Sequence, residues 1–204
     1  MYQKAITKLI TSINNIYRKA KREEITLGVA RKYGLPLAFK QFQKELNRLS
    51  QKEANRLSKE MQKQYIDKYV DTTGKRRPLK KAKEKVDYPW SGMNFSQRIA
   101  KNSQQINQQV IQEVEKVLRK GGNKPQVVSL LLEVANKYTD RHDVLIRTEL
   151  WHMDLLGELD GMKQNKVQYV KYISQGDHRV CPECISLEAY NEGMTRGIEE
   201  GIQE

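Results

Sequence analysis

Between Leu37 and Val70 the chain runs about 34 residues without a glycine or a proline, and this stretch constrains the fold more than any other feature. Phe39, Phe42, Leu46 and Leu49 recur three and four apart, the period of one helix face, and Ala54, Leu57, Met61, Tyr65 and Tyr69 continue the stripe more loosely. A helix of that length extends roughly 50 Å, more than a small globular core covers. It is therefore expected to pack as a hairpin on a preceding helix or against another chain. The preceding helix is predicted over 6–20, with Leu9, Ile13, Ile16, Tyr17 and Ala20 on one face. Gly28 and the Gly34-Leu35-Pro36 punctuation are expected to separate the two.

Charge divides the chain. Residues 1–88 carry 23 Lys and Arg against 9 Asp and Glu, whereas residues 89–204 carry 14 against 16. A basic half joined to a near-neutral half points to a polyanion met by the first half alone, nucleic acid being the obvious one, with a solvated Lys-rich surface as the alternative. The densest basic run is Lys75, Arg76, Arg77, Lys80, Lys81, Lys83 and Lys85, following the turn residues Asp71-Thr72-Thr73-Gly74. It makes a poor core and a good linker or phosphate-contacting segment. No aromatic interleaves these charges, so base stacking is unsupported and any contact with double-stranded DNA is non-specific and salt-dependent.

A hydrophobic content of 38% supports a thin core spread along helices rather than a large sheet sandwich. No stretch approaches the roughly 20 apolar residues that span a bilayer. Met1-Tyr2-Gln3-Lys4-Ala5 does not open the apolar region of a secretory signal, so the reading is a protein made and kept in a cytoplasm, with no membrane partner.

After Tyr88-Pro89-Trp90-Ser91-Gly92 a helix is expected to open at Asn94 or Ser96, bury Ile99, Ile106, Val110, Val114 and Val117, and stop at Gly121-Gly122. Asn123 is positioned to cap the next, with Pro125 in its first turn. A further helix is predicted over 141–156, ended by Gly157 or Gly161, with Val144, Arg147 and Trp151 sharing a face. Residues 167–173 read as one short strand, and the acidic tail 191–204 as a fraying end.

Cys181 and Cys184 are the whole thiol inventory, in a C-x-x-C after that strand and a turn. This is half of a zinc knuckle, with His178 as a third ligand, and the set is incomplete because Zn²⁺ takes four. The thioredoxin-like alternative needs a βαβ unit that the surrounding sequence does not provide, and a pair of structural thiols is the plain alternative. Arg147-Thr148-Glu149 has no adjacent nucleophile or oriented base, and the plain reading is that Arg147 or Glu149 docks polar groups of the C-terminal module onto the helix. No catalytic residue is assigned.

These pieces, in order, are Tyr88-Pro89-Trp90-Ser91, Phe95-Ser96-Gln97-Arg98-Ile99, Gly121-Gly122, Ile146-Arg147-Thr148-Glu149 and Asp177-x-Arg179-x-Cys181-x-x-Cys184. Across residues 88–190 they resemble the Mu F-like minor head protein family of tailed bacteriophages, the phage head morphogenesis proteins. The resemblance implies Arg147, Thr148, Glu149, Asp177, Arg179, Cys181 and Cys184 as family-motif residues, the two cysteines as ligands of a zinc site. The family's later His-Pro-x-Cys-Arg-Cys element does not follow before Glu204, which implies a truncated or shortened C-terminal part.

The resulting expectation is a mainly α chain. Residues 1–70 form an elongated helical arm, 71–87 a basic linker, 88–190 the head morphogenesis domain with a small strand-and-knuckle module, and 191–204 an acidic tail. The role implied is a non-enzymatic virion component inside the phage head, present in the host cytoplasm during assembly. Its partners are portal or capsid proteins and packaged DNA, and the long helix offers a route to oligomers. A metal-dependent nuclease or toxin-like enzyme acting on nucleic acid is the alternative.

Overall fold

The computed structural model describes residues 1–22, 27–75, 78–170 and 196–197. The described chain is mainly helical: α1 (Tyr2–Arg22), α2 (Leu27–Thr73), α3 (Leu79–Asp87), α4 (Phe95–Arg119) and α5 (Lys124–Gln164), with a 3-10 turn at Trp90–Gly92 before α4. Contacts at paired heights give the directions. Lys8 meets Glu45 and Tyr17 meets Arg31, so α1 is antiparallel to α2. Gln109 meets Tyr138 and Arg98 meets Glu149, so α4 is antiparallel to α5. Glu53 lies by His142, Tyr65 by Asp160 and Thr72 by Asn165, so α2 and α5 run parallel.

These two long helices are the spine of the bundle, at roughly 70 and 60 Å. In the upper storey α1 and the second half of α4 complete a four-helix core around Leu9, Ile13, Phe42, Leu46, Val110 and Leu131. In the lower storey α3 and the first half of α4 close a second core around Leu57, Met61, Tyr65, Val86, Ile99 and Met153. Each fully buried Leu, Ile or Phe stabilises the bundle by about 1.5–3 kcal/mol. Between the storeys lies a polar belt of Ser50, Ser103, Asn107 and His142.

The structure changes several expectations. α2 does not start after Pro36 but at Leu27, and it carries Pro36 inside it. Proline removes one helical hydrogen bond, yet the flanking contacts hold the turn together. Arg31 Nη2 donates to the Tyr17 hydroxyl at 2.7 Å and to the Gly122 carbonyl at 3.3 Å. Gly34 leaves the room that Ile16 fills, since a Cβ there would stand 2.7 Å from Ile16 Cγ1.

The long helix does not form a separate hairpin arm with α1. Its buried face is shared among α1, α4 and α5, so residues 1–70 and the helices after Tyr88 build common cores. The stretch read as a linker is helical from Leu79, where Ala82 and Val86 turn inward while the lysines turn outward.

The cap positions agree with the sequence. Asn94 and Asn123 each form a capping box, with Gln97 and Gln126 respectively. α4 stops where Gly121 takes φ +77°, the left-handed turn that satisfies its last carbonyls. From Asn123 onward, however, the two expected helices are one. α5 passes straight through Gly157 and Gly161 because these glycines face α2 rather than a turn. A Cβ on Gly157 would stand 2.4 Å from the Tyr65 carbonyl oxygen, and one on Gly161 2.7 Å from Thr72 Cβ. The pair is a close-approach seam, not a stop signal. Beyond α5, Tyr169–Val170 pairs antiparallel with Arg196–Gly197. The rest of the expected strand and the knuckle lies outside the described residues.

Candidate functional site

The contact that gathers residues from separated motifs is a clamp on Glu149. Its place on α5 follows from the buried stripe His142, Glu149, Met153 and Asp160, a helical series in which the charged members are held inside by partners. Glu149 is 0% exposed. Arg98, on the first turn of α4 set by the Asn94 cap, gives its Nε to Glu149 Oε1 at 2.5 Å. Trp90 Nε1 donates to Oε2 at 3.0 Å, and Arg98 Nη1 returns to the Trp90 carbonyl at 2.9 Å. The Arg98 guanidinium also lies 4.5 Å over the Trp90 ring, which stacks on the His152 imidazole at 4.3 Å.

A buried carboxylate is tolerable only with such charge-assisted partners. The clamp fastens the segment around Trp90, and with it the start of α4, to the middle of α5. Arg98 and Trp90 occupy both oxygens of the Glu149 carboxylate, so the contact positions these segments.

Arg147 and Thr148, its motif neighbours, point away. Both are exposed, and among the described residues they bond one turn back, to the Asp143 and Val144 carbonyls. Glu149 docks the Trp90 segment and α4, and the C-terminal module that Arg147 or Glu149 is expected to dock lies outside the described residues. Asp177, His178, Arg179, Cys181 and Cys184 lie outside the described residues. Among the described residues no three His, Cys, Asp or Glu side chains gather as a metal-binding group.

The seven basic residues of 75–85 are not equivalent. Lys75, Lys80 and Lys83 are exposed, and Arg76 and Arg77 lie outside the described residues. Lys81 and Lys85 reach back to Asp160 Oδ2 at 3.2 and 3.4 Å, where the Tyr65 hydroxyl also donates at 2.6 Å. Burial pushes the Asp160 carboxyl up, but Tyr65 and the two ammonium groups outweigh it and hold it below the usual aspartate range. Burial, with Asp160 alongside, pushes the Tyr65 hydroxyl up. Two cations of the basic run therefore neutralise a buried acid, while Lys75, Lys80 and Lys83 face water.

Sequence reasoning passed over Asp160 and the Glu53–His142 contact, and placed Tyr65 on the apolar stripe without its hydroxyl's partner. The signal available was the acid on the inner stripe of α5, since a charged residue at an apolar register position implies a partner.

Alongside the clamp, α4 and α5 border a groove of about 520 Å³ that includes Met93, Arg98, Lys101, Arg141, Val144 and Leu145 in its walls. No family model matches the chain, and neither the curated proteins nor the solved structures contain a match.

Proposed function

We propose that this chain is a minor head morphogenesis protein of a tailed phage, a non-enzymatic component inside the head that contacts portal or capsid protein and packaged DNA. The observation that supports the reading is the clamp. Trp90, Arg98 and Glu149 come from three of the ordered motifs on which the resemblance rests, 51 and 59 residues apart, and they meet in one buried contact. Motifs joined in this way constitute a structural unit, which fits a scaffold role better than scattered coincidences of sequence.

DNA is met by the basic half, through Lys75, Arg76, Arg77, Lys80 and Lys83, with Lys81 and Lys85 partly spent on Asp160. Zinc at Cys181, Cys184 and His178 belongs to the same proposal. The decisive experiment is quantitation of the chain in purified virions. It is expected at a few copies per head, protected from protease until the head is opened, and absence from intact heads refutes the assignment. The DNA part is tested separately by titrating duplex DNA against salt. Lys75→Gln, Lys80→Gln and Lys83→Gln together should lower affinity for all sequences alike and reduce the salt slope by roughly 1 for each phosphate left without its lysine.

A further inference from the structure

The groove between α4 and α5 combines positive charge with an apolar floor. Its walls carry the cations Arg98, Lys101 and Arg141 around the apolar side chains of Met93, Val144 and Leu145. Among the described residues the one acid bordering it is Glu149, which is consumed by Arg98 and Trp90. Arg141 rests against the Tyr138 ring at 5.7 Å, and no carboxylate is paired with Arg141 or Lys101 among the described residues. The same face of α5 continues one to two turns on to Trp151, with Val144 54% and Trp151 65% exposed. A two-thirds exposed tryptophan beside an exposed valine at helical spacing is the kind of anchor that recognition surfaces use.

From this we infer that the groove is a docking site for an acidic, amphipathic helical segment of a partner protein. Leucine-type side chains would sit on Met93, Val144 and Leu145, and carboxylates would face Lys101 and Arg141. Charge complementarity selects the acidic partner, and the apolar floor selects a peptide over a phosphodiester backbone, which would leave that floor uncovered. The inference stands on the groove's own chemistry and does not need the head-protein reading.

The test uses the full chain and a fluorescein-labelled helical peptide with Leu at i, i+4 and i+7 flanked by Glu, followed by anisotropy. Saturable binding is expected, weakened at least about tenfold when the peptide's Glu are changed to Gln, and by a similar factor in Lys101→Glu/Arg141→Glu. A Lys-bearing version of the peptide should regain affinity for that variant, which separates a charge-specific site from a general loss of structure. Equal binding by wild type and variant, or none up to about 1 mM peptide, overturns the proposal. Two other occupants are outcomes of the same experiment, and either also overturns it. Tighter peptide binding after Glu192→Gln, Glu199→Gln and Glu200→Gln would identify the chain's own acidic tail as the occupant. Displacement of the peptide by short duplex DNA, with DNA affinity abolished in Lys101→Glu/Arg141→Glu, would identify a nucleic-acid surface.

Discussion

In the upper storey α1, α2, α4 and α5 meet through Leu, Ile, Val and Phe, whereas in the lower storey a smaller apolar core is joined by two buried acids of α5, Glu149 holding α4 and the Trp90 turn and Asp160 holding α2 and α3, and by the α2–α5 seam at Gly157 and Gly161. The upper core is non-directional and tolerates rearrangement as long as volume is kept. The lower one is specific. Each buried acid fixes a named partner, Arg98 and Trp90 for one, Tyr65 with Lys81 and Lys85 for the other. The difference assigns register to the lower half, where α3, the Trp90 turn and the start of α4 must return along the spine in short pieces. Apolar packing alone would not pin three short segments in order, and hydrogen-bonded charges do.

If the comparison is right, the largest loss comes from breaking the clamp. Glu149→Ala leaves the Arg98 guanidinium buried without its counter-charge and should cost about 3–5 kcal/mol in urea denaturation. The double variant Glu149→Leu/Arg98→Met removes both charges and should recover much of that loss. A double variant as unstable as the single one would sink the idea that the cost is an orphaned charge. Next comes the apolar storey: Leu46→Ala should cost about 2–5 kcal/mol, and Leu46→Met should cost much less because volume is conserved. Equal losses from the two Leu46 variants would show that the upper core is as exacting as the lower.

How much of this was legible follows the same division. The upper storey could be read from periodicity, since Phe39, Phe42, Leu46 and Leu49 on α2 and Val110 and Val114 on α4 are the residues the spacing selects, and all are buried. The capping asparagines were legible because a cap is local chemistry, settled within four residues. Gly157, Gly161 and Pro36 were misread because their local meaning is a stop, and only the neighbouring helix reveals that they lie in continuous ones. Glu149 was legible as a motif residue but not as a buried one. Its partners stand 51 and 59 residues upstream, and nothing local records the pairing.

The seam offers a smaller effect than either core. Gly157→Ala forces a methyl to within 2.4 Å of the Tyr65 carbonyl oxygen, which is backbone and cannot swing aside. Spreading α2 from α5 should cost about 1–3 kcal/mol. Gly161→Ala meets the Thr72 side chain instead and should cost less, a ranking that thermal melts would check. Reversal of that order would mean the helices slide rather than spread.

The smallest effect separates the storeys by pH. His142 lies in the polar belt, 4% exposed, edge-on to Tyr2 at 5.3 Å and 3.5 Å from Glu53. Burial lowers its pKa, and Glu53 only partly offsets this, so the folded chain holds it neutral where the unfolded chain begins to charge. The unfolded state then binds the extra proton, and stability falls as pH drops below about 6.5, with a slope of at most about 1.4 kcal/mol per pH unit. Glu53, held below the ordinary range chiefly by Arg56, begins to add its own loss only in more acidic solution. Equilibrium unfolding at pH 7.5 and 5.5 should show the wild-type loss, and His142→Leu should flatten it while leaving stability at pH 7.5 near the wild-type value. An undiminished slope in that variant would place the acid sensitivity elsewhere, and not at Asp160: its folded pKa is depressed, so its contribution is present above the ordinary aspartate value and lost only as pH falls below it.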